Sequence, residues 1–291
     1  MSDDIILSVE HLMMHFGGIK ALSDVNLKVK RNSIFALIGP NGAGKTTVFN
    51  CLTGFYRATA GNIHLNAKGG EVNVLRLLGG PFEGPDFVSP SRFASRVYYK
   101  MFGGTHLVNR AGMARTFQNI RLFKEMSVVE NLLVAQHMWV NRNLLAGIFN
   151  TKGYRKAEGS ALDTAFYWLE VVDLVDSANR LAGELSYGQQ RRLEIARAMC
   201  TRPQIICLDE PAAGLNPQET EALSGMIRHL RDHHDMTVVL IEHDMGMVMS
   251  ISDDIVVLDH GNVIAAGKPE AIRNDPKVIA AYLGADEEEV A

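Results

Sequence analysis

The sequence predicts an α/β fold: a parallel sheet covered by helices on both faces. Three observations carry this. The runs Ile34–Ile38, Ile205–Leu208 and, after its opening threonine, Thr237–Ile241 are apolar without interruption, as strands buried on both faces are. Helix-compatible stretches, Thr47–Leu52 and Pro217–Arg231, follow the first two. The regions that break this alternation are of two kinds, a β-rich start before Ile34 and a helical stretch over 127–200.

In chain order, Ile5–Glu10 reads as a strand and Phe16-Gly17-Gly18 as a turn. Val25, Leu27 and Val29 alternate with Asn26, Lys28 and Lys30, which predicts a half-buried strand. Thr59–Asn62 turns into a short strand, Ile63–Leu65. Residues 66–109 hold seven Gly and three Pro with weak periodicity, so they read as an irregular surface insertion, in part mobile. A short helix near Ser91–Met101 would give Arg92, Arg96 and Lys100 a solvated basic face. Ser127 and Glu130 are spaced as a capping box. Leu162, Ala165, Phe166, Leu169 and Val172 recur as the apolar stripe of one helix. Another runs from Tyr187 to Cys200, with Arg191, Arg192 and Arg197 expected in solvent. A third late strand, Asp254–Leu258, is followed by a hairpin turn at Asp259–Asn262 into Val263–Ala265. Two short helices and a frayed acidic tail, Asp286–Glu289, close the chain.

The chemistry centres on Gly39-Pro40-Asn41-Gly42-Ala43-Gly44-Lys45-Thr46, which fits G-x-x-x-x-G-K-[ST]. It lies between an apolar strand and a helix, the context such a phosphate-binding loop requires. Its glycines let successive N–H groups curl around phosphate oxygens. The following helix, through Thr47, adds its positive N-terminal end. Lys45 can reach the β- and γ-phosphates, and the Thr46 hydroxyl can ligate Mg²⁺. This makes the fold class a P-loop NTPase with a RecA-like parallel-sheet core.

Composition narrows the alternatives. Of 291 residues, 47% are hydrophobic and 21% charged, which supports a sizeable core. A net charge of -4 argues against a nucleic-acid-binding surface spread over the molecule. The three cysteines, Cys51, Cys200 and Cys207, lack C-x-x-C spacing and read as reduced core thiols. No apolar run reaches about 18 residues, so no membrane-spanning helix is expected. The acidic start, Met1–Asp4, lacks the basic region of a secretory signal.

Further along stand Leu185-Ser186-Tyr187-Gly188-Gln189, then Ile205–Asp209 followed by Glu210, then His243 directly after a strand. This ordered set resembles the ATP-binding cassette of ABC ATPases, over nearly the whole chain. The stretches Arg110–Phe123, Glu130–Ala135, Glu210–Pro217 and Ala281–Gly284 resemble more narrowly the Liv-type ATP-binding subunits of branched-chain amino acid importers. Tyr187 and Asn216 depart from the general cassette pattern and look typical of that subfamily. Residues 66–109 are longer than the subfamily leads one to expect.

The resemblance implies one cassette over 1–291. Its parts are a β-rich portion with the phosphate loop (5–65) that includes an N-terminal antiparallel subdomain, and an insertion (66–109). An α-helical subdomain (110–200), a return to the core (201–265) and C-terminal helices with the tail (266–291) follow. It implies ATP and Mg²⁺ as ligands. Asp209, with Thr46 and Gln118, would serve the metal, and Glu210 would act as the general base. His243 would hold the base and water, and Gln118 would report the γ-phosphate to the helical subdomain. Phe16 matches the aromatic that stacks on adenine. Leu185 to Gln189 would face the ATP of a second cassette, expected to be a paralogue. Two permease subunits and, indirectly, an extracytoplasmic solute-binding protein would complete the importer. The chain would sit on the cytoplasmic face of the membrane, with no nucleic acid involved. Import of urea or other amino acids, and a non-transport ABC role, are the alternatives. A small GTPase is disfavoured by the absence of an N-K-x-D motif.

Overall fold

The computed structural model of the chain describes residues 4–67, 70–80, 90–137 and 151–288. Two sheets organise it. The first is antiparallel, in the order β2-β1-β4-β5: β1 is Ile5–Phe16, β2 Ile19–Lys30, β4 Ala60–Ala67 and β5 Gly70–Asn73. The second has the order β10-β9-β3-β8-β7-β6. Here β3 is Ile34–Ile38, β6 Met113–Arg115, β7 Ile205–Asp209, β8 Thr237–Ile241, β9 Asp254–Asp259 and β10 Asn262–Gly267. Strands β9, β3, β8, β7 and β6 run parallel, and β10 adds an antiparallel edge. This is the expected α/β core.

Side-chain alternation explains why the central strands read as unbroken apolar runs. Ile34, Ala36 and Ile38 of β3 join Ile206 and Leu208 of β7 and Val238 and Leu240 of β8 in one core. That core also takes in Leu169, Leu193, Ile227 and Val248 from helices. Phe35 and Leu37, with Ile205, Cys207, Val239 and Ile241, face a second core. It is built with Leu7, Val25 and Leu65 of the antiparallel sheet and with Val48 and Leu52 of the helix Lys45–Leu52. Period-two alternation between two buried faces confines polar residues to strand ends, Asp209 closing β7 and Thr237 opening β8. The cysteines are free and buried, and burial raises each thiol to about 12.

Several expectations are corrected. Strand β1 continues six residues beyond Glu10, to Phe16, with irregular register against β2 at Val9/Leu12 and Met14/His15. Those irregularities interrupt the alternation that sequence reading relies on. Within 66–109, residues 70–77 form β5 and the helix Val74–Leu77, capped by the Asn73 side chain. The helices Pro90–Phe102 and Thr105–Arg110 follow. Arg96 is 4% exposed and donates to the Arg76 carbonyl, so it is not on a solvated face. In the helix Lys152–Val171 the buried residues are Ala161, Ala165 and Leu169, whereas Leu162 and Phe166 are exposed. Small alanines on the i, i+4 row let neighbouring helices approach, which turns the bulkier residues outward. Arg191 is wholly buried rather than solvated. The last helix, Pro276–Glu288, reaches into the acidic tail.

Candidate functional site

The phosphate loop leaves the C-terminal end of β3. Gly39, Gly42 and Gly44 have φ of 148°, 75° and 100°, which side-chain-bearing residues avoid. At Gly39 a Cβ would lie 2.1 Å from the Leu258 carbonyl oxygen, so only glycine fits beside β9. The helix Lys45–Leu52 starts at Gly44 without a side-chain cap, which leaves its first N–H groups for a ligand. Lys45 is buried and curls back over the loop, donating to the carbonyls of Gly39 (2.7 Å) and Pro40 (2.8 Å). Burial holds its ammonium below the usual lysine range, and the Glu210 carboxylate opposes that shift. A polar pocket of about 210 Å³ is lined by Asn41 to Thr47 together with Glu210 and His243.

The end of β7 supplies the opposite wall. Glu210 takes a left-handed backbone conformation, φ 46°, and its N–H donates to the Ile241 carbonyl. That places its carboxylate between two partners. Oε2 accepts from Gln118 Nε2 at 2.7 Å, and Oε1 lies 3.0 Å from His243 Nε2. Three residues expected to cooperate, from segments far apart in sequence, therefore meet. With Glu210 ionised, the imidazole N–H points at Oε1. Beneath them Glu242 is buried and accepts from the N–H groups of Ala212 (2.6 Å) and His243 (3.0 Å). Burial raises its carboxyl above the usual range. It locks the backbone that carries His243.

Asp209 is buried at the end of β7, and Arg115 holds its Oδ2 at 2.7 Å. Arg115 also donates to Asn50 (2.6 Å) and Thr53 (3.1 Å) and lies over the Phe117 ring. Sequence reading missed Arg115, because its partners are 62 to 94 residues away. It also missed Arg191 and Glu194, a fully buried ion pair at 2.9 Å. Arg191 donates to the carbonyls of Phe117 and Gln118, each at 2.7 Å. It thereby ties the segment bearing Gln118 to the helix Tyr187–Met199.

That helix begins as expected. The Ser186 side chain accepts from Gln189 N–H, and Gln189 Oε1 accepts from Ser186 N–H, a reciprocal capping box. Leu185 is buried in the core and Tyr187 is 44% exposed. A Cβ on Gly188 would lie 2.7 Å from the Glu219 carboxylate. These residues do not line the phosphate pocket of their own chain, and neither does Phe16. Phe16 lies at the end of β1, 42% exposed, with its ring edge-on to Tyr56 at 5.3 Å.

Comparison with known proteins agrees with this geometry. A family model described as ABC transporter matches residues 22–213, and one described as branched-chain amino acid ATP-binding cassette transporter matches 262–288. The chain is 54% identical over 279 residues to the high-affinity branched-chain amino acid transport ATP-binding protein BraF of Pseudomonas aeruginosa, covering 96% of this chain and 98% of that one. It is 50% identical, with the same coverage, to LivG of Escherichia coli, a protein of the same description. A crystal structure of an ATP-binding cassette of an ABC transporter, in its ADP conformation, superposes with a TM-score of 0.72 at 31% identity, over 96% of this chain and 99% of that one. The chain belongs to the ABC transporter family, as an ATP-binding cassette ATPase of the branched-chain amino acid type.

Proposed function

We propose that this chain hydrolyses ATP to drive import of branched-chain amino acids through separate membrane permeases. The observation that carries the reading is the contact of Glu210 with both Gln118 and His243 at the mouth of the phosphate loop. Loop N–H groups and Lys45 would hold the β- and γ-phosphates, with Lys45 leaving its carbonyl partners to do so. Glu210 would take the proton of the attacking water, and His243 and Gln118 would orient it. Phe16 would support the adenine.

The residues present fit a magnesium ion. The Thr46 hydroxyl, the Asp209 carboxylate and the Gln118 amide oxygen would supply an oxygen donor set of the kind Mg²⁺ takes, Asp209 keeping its Oδ2 on Arg115 and offering the other oxygen. When bound, the ion would neutralise charge that develops on the β- and γ-phosphate oxygens.

Leu185 to Gln189 would complete the ATP site of a second cassette, a paralogue, across a dimer. Their position away from the chain's own phosphate pocket supports this. The translocation path would belong to other chains, a reading supported by the described residues holding no helix long and apolar enough to cross a membrane. The permeases would dock on the segment from Gln118 to Glu130. Beside it lies a groove of about 640 Å³ lined by Phe55, Phe117, Phe123, Val134 and Arg197, with Phe123 half exposed. A solute-binding protein outside the membrane would deliver the substrate, and this chain would work on the cytoplasmic face.

A cysteine at Phe123 tests the reading. In membranes containing the assembled transporter it should crosslink to a permease subunit, and ATP hydrolysis should be stimulated by the amino acid. Crosslinks confined to water-soluble proteins would reject the assignment.

A further inference from the structure

Arg115 ends the short edge strand β6, paired with Cys207 of β7, two residues before Asp209. The side chains of Arg115 and Asp209 are 8% and 6% exposed. The planar guanidinium reaches in two directions. Nη2 donates to Asp209 Oδ2 at 2.7 Å, and Nη1 donates to the Asn50 side-chain oxygen and the Thr53 hydroxyl. Asn50 and Thr53 lie at the far end of the helix that starts at the phosphate loop. One side chain therefore joins that helix to the carboxylate at the end of β7. With Oδ2 taken, Asp209 has its other oxygen left for a metal.

Arg115 also lines the groove of about 640 Å³, with Phe55, Phe117 and Phe123. The centre of its guanidinium lies 5.3 Å from the Phe55 ring and 5.1 Å from the Phe117 ring. The two rings meet edge to face at 5.4 Å, and Phe55 is 46% exposed. An apolar segment seated in the groove would therefore press on the rings that hold the guanidinium. The Nε–H of Arg115 is buried without an acceptor among the described residues. A buried donor left unpaired marks a side chain held where its other contacts need it.

We propose that Arg115 is a positioning residue that links the groove to the metal site. It fixes the Asp209 carboxylate so that the second oxygen serves the magnesium ion, and it ties that orientation to what occupies the groove. A permease segment that shifts Phe55 and Phe117 shifts the guanidinium, and the shift passes to Asp209 through one hydrogen bond. The inference rests on the magnesium and docking readings above.

The test uses the full chain, alone and in the assembled transporter. Arg115→Lys keeps the charge but replaces the fork by a single ammonium, which cannot hold Asp209, Asn50 and Thr53 in the same geometry. For the isolated chain, ATP affinity is measured by calorimetry in Mg²⁺ and in EDTA. The advantage that Mg²⁺ confers should shrink about tenfold or more, the usual loss when the partner of a metal ligand is removed, while affinity in EDTA stays within about threefold. In the assembled transporter, stimulation of hydrolysis by the amino acid should be lost, with the Phe123 cysteine still crosslinking to a permease. Phe55→Ala keeps every hydrogen bond of Arg115, so it should preserve the Mg²⁺ advantage and still lower the stimulation. An unchanged Mg²⁺ advantage in Arg115→Lys, with only an earlier melt, would make Arg115 a packing residue and overturn the proposal. Full stimulation in both variants would overturn the link to the groove. Absence of the Phe123 crosslink in an otherwise wild-type transporter would instead reject the docking reading itself, whatever Arg115→Lys does.

Discussion

Arg191→Met should destabilise the protein more than any change on its surface. The substitution keeps the stem and removes the guanidinium. Three short contacts go with it: those to the carbonyls of Phe117 and Gln118 at 2.7 Å and to Glu194 at 2.9 Å. The side chains of Arg191 and Glu194 are 0% and 2% exposed, so water cannot replace what is lost. Breaking a buried pair from one side costs about 3–5 kcal/mol, because the remaining charge stays desolvated. The part-buried carbonyls of Phe117 and Gln118 lose their donor as well, which favours the upper half of that range. At about 2–4 °C per kcal/mol for a large single domain, Tm should fall by about 8–20 °C. The fall should depend on pH. Burial raises the Glu194 carboxyl, and Arg191 pulls it back down. A carboxyl with a raised folded value contributes stability below its unfolded value, near pH ~4.3, and loses it as pH rises through the folded value. Removing Arg191 raises the folded value further. The deficit should therefore be smaller at pH 5 than at pH 8, and adding Glu194→Gln should recover part of it. Melting followed by circular dichroism decides the matter. A fall of less than about 3 °C, equal at both pH values, would refute the account of this pair.

Two further outcomes follow from the same geometry. Lys45→Ala should abolish ATP-dependent transport by removing the charge that neutralises the β- and γ-phosphates, and wild-type turnover in that variant would reject the phosphate-loop assignment. Gly188→Ala should displace Glu219 from its reciprocal cap with Asn216, because the new Cβ would lie 2.7 Å from the Glu219 carboxylate. Transport by the assembled complex should drop at least tenfold while ATP binding by the isolated chain is unchanged; an unaltered transport rate would show that this helix start tolerates the shift.

What was legible in the sequence was legible because it is local. The loop from Gly39 to Thr46 carries its meaning in consecutive residues, and β3, β7 and β8 announce burial on both faces by unbroken apolar runs. The capping boxes at Ser127 and Ser186 are each complete within four residues. Non-local features were hidden. Arg191 looks like one arginine among three on a helix, and its partners Phe117 and Gln118 lie 74 and 73 residues earlier. Nothing near Arg115 points to Asp209. The second half of β1 is obscured by its register shifts, which leave exposed residues such as His11 and His15 inside a strand. The Gly-rich stretch after Ala67 masked a strand and helices whose packing depends on contacts such as Arg96 with the Arg76 carbonyl. Glu210, Gln118 and His243 stand on three separate segments of the sequence, and only the fold shows that their side chains share hydrogen bonds.

Glu210→Gln tests the proposed mechanism most directly. The change keeps the size of the side chain and its reach toward Gln118 and His243 but removes the basic carboxylate. Nothing in the loop or at Lys45 is altered, so ATP affinity should stay within about threefold of wild type. Hydrolysis by the assembled pair of cassettes should fall by roughly 10²–10⁴-fold, the usual worth of a positioned proton transfer. Unhydrolysed ATP should then hold the two cassettes together, so the variant should show an ATP-dependent dimer by size-exclusion chromatography. Near-normal hydrolysis with no gain in dimer would contradict the assignment and leave His243 as the group that organises the water.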